Sequence, residues 1–277
     1  MDETRLARVR IVLVEPAGPL NVGSVARAMK NMGLRQLVLV NPQCDRLSKE
    51  ATDMAVHALD VLESAQVVAT IPEALQGCVK AIATTTRPRT LETPLENPRI
   101  ALPWLLEEPL PSALIFGPED RGLSNVELNY AQRFVRIPSN PEYPSLNLAQ
   151  AVAICCYELY QIWSALSSQP QITGNQRYGH GSDLPLATDN PQLTIDPASL
   201  EVLDGYYQQM EAVLLKMGYL YPHTASSRME KFRRLFNRAN PSKAEVAMLR
   251  GIFSQMDWAL QFLPDSVANE PEQQDAP

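Results

Sequence analysis

Short apolar runs alternate with amphipathic segments through the first 160 residues of the chain. Residues 9–14 (VRIVLV) predict a strand, because aliphatic side chains dominate the run. Further strands are predicted at 37–40, 66–69, 79–83, 114–116 and 134–137, and helices at 22–32, 49–64 and 72–77. Strands that alternate with helices predict an α/β fold in which a parallel sheet is covered on both faces.

The first predicted helix carries a candidate functional side chain. Asn21 is a favourable N-cap for it, and Gly33 is a favourable stop. The apolar residues that share one helical face are Val22, Val25, Ala26, Met29 and Met32. Arg27 lies nearly opposite that face, where Gly23 and Ser24 leave room for a ligand; a solvated arginine is the simpler alternative.

A stiff loop precedes the most apolar helix of the chain. Three prolines between residues 138 and 144 hold the backbone extended, and Ser145 can cap the helix that follows. From 148 to 157 the only polar side chain is Gln150. A helix that is apolar on all sides must be covered on all sides, so we expect a partner chain to bury it. The alternative is a proline-rich turn in front of an ordinary core helix.

Three polar loops follow three of the predicted parallel strands, at 84–90, 117–122 and 138–147. Loops at the carboxyl ends of parallel strands meet at one edge of the sheet, where ligands bind. Residues 124–127 (SNVE) form a capping box, which fixes the backbone that presents Glu119. Each loop alone is explained by a plain turn, but together they predict one pocket.

Two common nucleotide-binding sites are disfavoured by the sequence. A Rossmann site needs G-x-G-x-x-G after the first strand and an acidic residue near the end of the second. Only Gly18 and Gly23 follow the first strand, and the second ends in Asn41-Pro42. A Walker A motif is also missing.

The C-terminal part has a different composition. Residues 167–197 are rich in Gln, Gly, Asn, Ser and Pro and predict a linker. Helices are predicted at 198–218, 225–238 and 242–262, and residues 265–277 predict a disordered acidic tail. The middle helix carries five basic residues against Glu230, in a chain whose net charge is −7. A local basic stripe on an acidic body indicates a nucleic-acid contact.

The overall composition narrows the class of protein. A length of 277 residues allows one large or two modest domains, and no apolar run is long enough to span a membrane. The N-terminus does not resemble a signal peptide. Four cysteines form no CxxC pair, which is typical of a reducing cytoplasm, and three scattered histidines give no metal-site spacing.

Three motifs now resemble those of the SPOUT (SpoU–TrmD) RNA methyltransferases. They are N-x-G-x3-R-x5-G from Asn21 to Gly33, F-G-x-E-x2-G-L from Phe116 to Leu123, and N-P-E-Y-x-S-L-N-L-A from Asn140 to Ala149. The segment 229–238 (MEKFRRLFNR) is similar to that of the TrmJ type. The combination is specific, although each motif alone is weak.

The resemblance implies a knotted α/β fold, with a deep C-terminal trefoil knot and a small C-terminal helical domain, in a homodimer. The histidine spacing and the short apolar runs predict neither a metal ion nor a membrane partner. The resemblance also implies that S-adenosylmethionine is the cofactor and that Arg27 is catalytic. The cofactor-binding residues would be Thr84, Thr85, Thr86, Gly117, Glu119, Gly122, Ile137, Pro144, Ser145, Leu146 and Asn147. The RNA-binding residues would be Arg228, Lys231, Arg233, Arg234 and Arg238.

The activity implied by the resemblance is methylation of a ribose 2′-hydroxyl in tRNA, at the cytidine or uridine in position 32 of the anticodon loop. Methylation of ribosomal RNA and a non-catalytic RNA-binding dimer are the alternatives. The implied division is a catalytic domain at 1–166, a linker at 167–197, a helical tRNA-binding domain at 198–264 and a tail at 265–277.

Overall fold

The structure of the chain, a computed structural model, describes residues 5–86, 94–108, 110–167 and 196–262. Within these ranges seven strands form one sheet in the order β3-β2-β1-β6-β4-β7-β5, and every pairing is parallel. The strands are β1 Val9–Val14, β2 Gln36–Val40, β3 Gln66–Val68, β4 Lys80–Thr84, β5 Leu95–Glu96, β6 Ser112–Phe116 and β7 Arg133–Val135. The predicted α/β class and parallel sheet are confirmed.

Helices connect these strands and continue beyond them. They are α1 Pro19–Asn31, α2 Lys49–Ala55, α3 Leu59–Glu63, α4 Ile71–Ala74, α5 Pro98–Ala101, α6 Pro103–Leu106, α7 Asn125–Leu128, α8 Leu148–Ser167, α9 Leu200–Lys216, α10 Pro222–Ala239 and α11 Lys243–Leu260. Short 3-10 turns lie at Leu6–Arg8 and Val56–Ala58. The sequence patterns predicted α9 to α11 well but missed β5, α5 and α6, which are four residues long or less.

The single helix predicted over residues 49–64 is wrong. The chain leaves the helical conformation at Val56, which has a φ of +53°, and resumes it in α3. A β-branched residue at positive φ is uncommon and strained. No glycine or proline marks this break in the sequence, so apolar periodicity carried the prediction through it.

Each face of the sheet has its own apolar core. On one face α1 and α8 cover strand residues that include Ile11 and Leu13. On the other face α9 belongs to the same apolar cluster as Val12 and Ile115. The backbone amide of Leu200, the first residue of α9, donates to Cys78 O across 2.8 Å. The C-terminal helices are therefore docked on the sheet.

Two helix starts differ from the prediction. Helix α1 begins at Pro19 with Gly18 as its N-cap, so Asn21 lies in the first turn with its side chain free for other bonds. Proline is favourable in this first position because its missing N–H would have no partner there. Helix α8 is capped by Asn147, whose side-chain oxygen accepts from Ala149 N at 2.9 Å, and not by Ser145.

Helix α8 is not covered on all sides. Val152, Cys155 and Cys156 are fully buried in the core of their own chain, while Tyr157 is 46% exposed. The core of the same chain therefore covers one side of the helix and leaves an outward face, and burial of that face by a partner chain stays a prediction. The predicted linker and tail fall almost wholly on residues 168–195 and 263–277, outside the described residues.

Candidate functional site

A cleft lies at the carboxyl edge of the sheet, where the loops after β4, β6 and β7 meet. Its lining residues are Thr84, Thr85, Thr86, Phe116, Gly117, Pro118, Glu119, Asp120, Arg121, Gly122, Leu123, Val135, Ile137, Pro144, Ser145, Leu146, Leu148 and Ala151. The three loops proposed from the sequence thus converge on one cleft. Ten of the eleven residues predicted to bind the cofactor lie in its lining; Asn147 does not.

The walls of the cleft combine apolar side chains with backbone and hydroxyl groups. Phe116, Leu123 and Val135 are buried beneath it. The hydroxyl of Thr84 donates to Ile115 O at 3.1 Å, so this side chain ties β4 to β6. The loop after β7 is pinned from within, because the Ser139 hydroxyl donates to Pro144 O at 2.9 Å.

Gly117 allows the loop after β6 to fold back on itself. A Cβ atom at this position would lie 2.3 Å from Leu123 N and 2.9 Å from Gly122 Cα, closer than real Cβ contacts occur. Gly122 has a φ of +65°, which favours glycine. The predicted capping box is confirmed, with the Ser124 amide donating to Glu127 and the Glu127 amide donating to the Ser124 hydroxyl.

The Glu119 carboxylate binds the start of α1. Its oxygens accept from Ala17 N at 3.2 Å, Gly18 N at 3.1 Å and Asn21 Nδ2 at 2.9 Å. Burial raises the pKa of Glu119, but the hydrogen bonds from Asn21 and the two backbone amides outweigh it and hold the pKa below its usual range. A carboxylate beside a helix N-terminus also complements the helix dipole.

Asn21 joins this contact to the loop that precedes α8. Its side-chain oxygen accepts from Asn147 Nδ2 at 2.9 Å while its Nδ2 donates to Glu119. Asn147 in turn caps α8 through its side-chain oxygen. The side chains of these three residues therefore fasten the loop after β6, the first helix and the loop after β7 together. The sequence had assigned Asn21 only a local capping role.

The expectation that Gly23 leaves room for a ligand beside Arg27 is wrong. Gly23 is buried against α2, and a Cβ atom there would lie 2.1 Å from Ala51 O. The glycine instead allows α1 and α2 to pack at backbone distance. The rim around Arg27 is formed without it.

Arg27 itself is exposed on α1 and forms no hydrogen bond or ion pair with the residues that the structure describes. It lies outside the cleft lining. Six residues separate it from Asn21, which is about 9 Å along a helix axis. The guanidinium is therefore free to meet a ligand that approaches the cleft from outside.

Arg121 is a site residue that the sequence analysis did not select. Its guanidinium donates to Glu127 at 2.8 and 3.0 Å and to Glu15 Oε2 at 2.7 Å. These hydrogen bonds raise the pKa of Arg121 above its already high usual value, and those that Arg121 donates to Glu127 contribute most. Glu15 follows β1 and has a φ of +47°. The ion pair between Arg121 and Glu15 thus ties the loop after β1 to the loop after β6.

The five basic residues of α10 have different surroundings. The Arg233 guanidinium is half-buried between the C-terminal helices and the sheet domain, where it pairs with Asp204 at 2.9 Å and lies 4.6 Å from the Tyr207 ring centroid. Arg234 and Arg238 line a second cleft against Trp104 and Phe134 of the sheet domain. Arg228 packs over Tyr219, and Lys231 is exposed.

Burial lowers the pKa of Arg234, and its Nε has no hydrogen-bond acceptor within the part of the chain that the structure describes. No group of three or more potential metal ligands occurs among the described residues. None of the helices in these ranges is both long and apolar enough to cross a membrane.

Two family models match the chain. The model of the SpoU rRNA methylase family matches residues 8–157, and the model of the C-terminal domain of tRNA methyltransferase TrmJ matches residues 201–269. The first match covers the sheet with α1 to α7 and the first half of α8, and the second covers α9 from its second residue, α10 and α11.

Curated relatives resemble nearly the whole chain. The tRNA (cytidine/uridine/adenosine-2'-O-)-methyltransferase TrmJ of Pseudomonas aeruginosa is 39% identical over 90% of this chain and 94% of the relative. The tRNA (cytidine/uridine-2'-O-)-methyltransferase TrmJ of Klebsiella pneumoniae is 40% identical over 91% of this chain and 97% of its own length.

Solved structures of methyltransferases also resemble this chain. The crystal structure of TrmJ from Z. mobilis ZM4 aligns with a TM-score of 0.74 at 31% identity and covers 90% of this chain and 98% of the solved one. A probable methyltransferase from Bordetella pertussis aligns with a TM-score of 0.55 at 40% identity, covering 58% of this chain and 98% of its own.

Proposed function

Because this chain belongs to the SpoU rRNA methylase family, we propose that it transfers a methyl group from S-adenosylmethionine to a ribose 2′-hydroxyl of tRNA. The observation that carries the proposal is the cleft formed by three loops at the carboxyl edge of the sheet, in a chain about 40% identical to tRNA 2′-O-methyltransferases. As the resemblance to the TrmJ type implies, we extend the proposal to the pyrimidine at position 32.

The cleft suits S-adenosylmethionine. A purine ring fits the apolar walls formed by Ile137, Leu146 and Leu148, and the polar edges of the cofactor fit the hydroxyl and backbone groups of Thr85, Thr86 and Ser145. The bound cofactor supplies a methyl group on a positively charged sulfur atom. Asn21 joins the loops after β6 and β7, and Ser139 holds the loop after β7 from within, so the cleft is formed before its ligand arrives.

Arg27 acts on the ribose side of the reaction. Arginine stays protonated in proteins, so it is a poor base. We propose that its guanidinium binds the phosphate next to the target ribose and stabilises the negative charge that develops on the 2′-oxygen. The hydroxyl proton then leaves to that phosphate or to water. The exposure of Arg27 and its lack of described partners support this role.

The resemblance also implies a trefoil knot and a homodimer. For the dimer we propose the outward face of α8, which carries Ile154 and Tyr157 one helical turn apart. Tyr157 is 46% exposed in the middle of a helix with few polar residues, which supports burial against a second copy. The knot would involve residues 138–167 and the loop after β4, part of which lies outside the described residues.

The proposed RNA contacts include Lys231, Arg234 and Arg238. Lys231 is exposed, and the guanidinium groups of the two arginines face a cleft between α10 and the sheet. Neither arginine forms an ion pair with a described residue, which leaves both available for phosphate. The position of Arg233 favours a structural role in place of the RNA contact expected from sequence.

We assign the catalytic role to residues 1–166, the tRNA-binding role to 198–264, and the cytoplasm as the site of action. Four cysteines without a disulfide support a reducing compartment. The role of 167–197 as a linker remains part of the proposal.

Incubation of the purified chain with a methyl-labelled cofactor and unmodified tRNA transcripts tests the activity. We expect label in one nucleotide, and mass mapping should identify it as a 2′-O-methylated pyrimidine at position 32. A transcript with a 2′-deoxyribose at position 32 should accept no label. Labelling of a ribosomal RNA fragment but of no tRNA would overturn the proposed substrate, and labelling of the deoxy transcript would overturn the position.

A further inference from the structure

We propose that residues 217–223, which comprise the turn between α9 and α10 and the first two residues of α10, form a stacking platform for an unpaired nucleobase of the RNA substrate. This inference rests on the proposed function, because it names a second contact with the same RNA. It concerns Tyr219 and Tyr221, which the charge pattern of the sequence did not select.

The turn holds two aromatic rings outward on a fixed backbone. Tyr219 is 53% exposed and Tyr221 is 54% exposed, while Leu220 between them is buried at 1%. Gly218, with a φ of +74°, reverses the chain after α9. Pro222 begins α10 and restricts Tyr221 to an extended conformation, with φ −109° and ψ 144°. The platform therefore loses little conformational freedom when a base stacks on it.

A guanidinium lies beside one ring and an imidazole lies beside the other. The Arg228 guanidinium donates to Tyr219 O at 2.9 Å and lies 5.7 Å from the Tyr219 ring centroid. The His223 ring is stacked on Tyr221, with ring centroids 5.9 Å apart and an angle of 23° between the planes. The first turn of α10 contains no acidic residue. Exposed aromatic faces next to an arginine are a combination with which proteins bind unstacked bases of single-stranded RNA.

The turn lies at the free end of a helical hairpin. The other end is anchored, since Leu200 N donates to Cys78 O and Asn237 Nδ2 donates to Asn129 O at 3.5 Å. Seventeen residues of α9 separate the anchored end from the turn, which corresponds to about 25 Å. The platform can thus reach an RNA segment well away from the anchor.

A second exposed surface has a different composition. Helix α11 exposes Met248, Ile252 and Met256, which have no π faces for bases. Its exposed ring, Trp258, packs edge-on against Phe262 and has no cation over its face among the described residues. The turn instead presents two aromatic rings with Arg228 and His223 on an otherwise acidic chain. This composition complements a base and its phosphate.

The test compares the full-length variants Tyr219→Ala and Tyr221→Ala with Tyr219→Phe and Tyr221→Phe. Trp258→Ala is the matched control, because Trp258 is 56% exposed on α11, outside the platform. Stacking of a base on an aromatic ring contributes about 1–3 kcal/mol, so each alanine variant should bind tRNA about 5- to 150-fold more weakly. The phenylalanine variants and Trp258→Ala should bind like the parent chain.

The salt dependence of tRNA binding distinguishes a stacking contribution from a contribution of charged groups. The slope of log K against log salt should stay unchanged in the tyrosine variants, whereas Arg228→Ala should reduce it by about one phosphate contact. Equal tRNA affinity of Tyr219→Ala, Tyr221→Ala and the parent, with unchanged thermal unfolding, would overturn the platform. A lower salt slope in these two variants would overturn stacking as its mechanism. Methyl transfer into tRNA without any effect of the tyrosines would refute the platform alone and leave the proposed function intact.

Discussion

The side chains of Asn21 and Asn147, 126 positions apart, are joined by a hydrogen bond of 2.9 Å from Nδ2 of Asn147 to Oδ1 of Asn21. Through this bond the first turn of α1 holds the cap of α8, and through Nδ2 of Asn21 it holds Glu119. The loops around the cleft are therefore fastened by side-chain amides, whose geometry neither a hydroxyl nor a carboxylate reproduces.

We expect Asn21→Ala to loosen the cleft. The substitution removes both side-chain bonds and should lower the free energy of unfolding by about 1–3 kcal/mol. It should also weaken binding of S-adenosylmethionine, since the loop before α8 loses its tie to α1. Denaturant unfolding and calorimetric titration measure the two effects. Asn31→Ala is the control, because Asn31 is exposed on the same helix; equal behaviour of the two variants would contradict the bridging role.

Arg27→Ala should separate chemistry from cofactor binding. Because Arg27 lies outside the cleft lining, the dissociation constant of S-adenosylmethionine should stay within about twofold, while kcat should fall about 100-fold or more. Arg35→Ala, an exposed arginine just beyond the helix, is the control. Single-turnover assays with labelled cofactor measure the loss. Near-full turnover of the Arg27 variant would remove Arg27 from the mechanism.

Two glycine substitutions should have opposite effects on stability. Gly23→Ala drives a methyl group into Ala51 O and should destabilise the fold by about 1–3 kcal/mol or more. Gly251→Ala, in the exposed part of α11 with nothing within 4 Å, should stabilise it by up to about 1 kcal/mol through helix propensity. The thermal unfolding temperatures of the two variants, compared with that of the parent chain, measure both effects. A neutral Gly23→Ala would mean that α1 and α2 can separate without cost.

Replacement of Arg233 and of Lys231 by alanine should affect stability and tRNA binding differently. Arg233→Ala leaves Asp204 without its partner and removes the cation beside Tyr207, so we expect a lower unfolding temperature. Lys231→Ala should leave unfolding unchanged but reduce the salt slope of tRNA binding by about one contact. Paired melting and filter-binding experiments distinguish them. A stable Arg233→Ala with a reduced salt slope would restore Arg233 as an RNA contact.

Tyr157→Arg should weaken the proposed dimer. The side chain is exposed on the outward face of α8, so a charge there opposes burial against a second copy without disturbing the core. Sedimentation velocity should show a shift toward monomer. The control is Arg99→Ala, a substitution on α5 that removes the ion pair with Glu158, the neighbour of Tyr157 on α8. An unchanged dimer with Tyr157→Arg would place the interface elsewhere.

The local patterns of the sequence predicted the sheet and the convergence of its loops. The apolar run at 9–14 and the loops after β4, β6 and β7 follow from periodicity and from the parallel arrangement of strands. A usable signal for Arg233 was also present: it lies four residues after Met229 and three before Phe236, on the apolar face of α10. Its charge predicts a solvent contact, whereas its position on the helix predicts a place against the core.

Other features were beyond local reasoning. The partners of Asn21 lie 98 and 126 residues away, and nothing in the residues around it names them. The contact between Gly23 and Ala51 likewise depends on how two helices pack. Such interactions follow from tertiary arrangement, which periodicity does not encode.

The docking of α9 on the sheet affects how shortened chains should be interpreted. Leu203, Tyr206 and Met210 share one apolar cluster with the sheet residues Val12 and Ile115. A chain that ends after α8 would expose part of this cluster to water or bury it against another molecule, so its aggregation state would change together with its RNA affinity. Single substitutions on the outer surface of α10 keep the cluster covered and alter one property at a time.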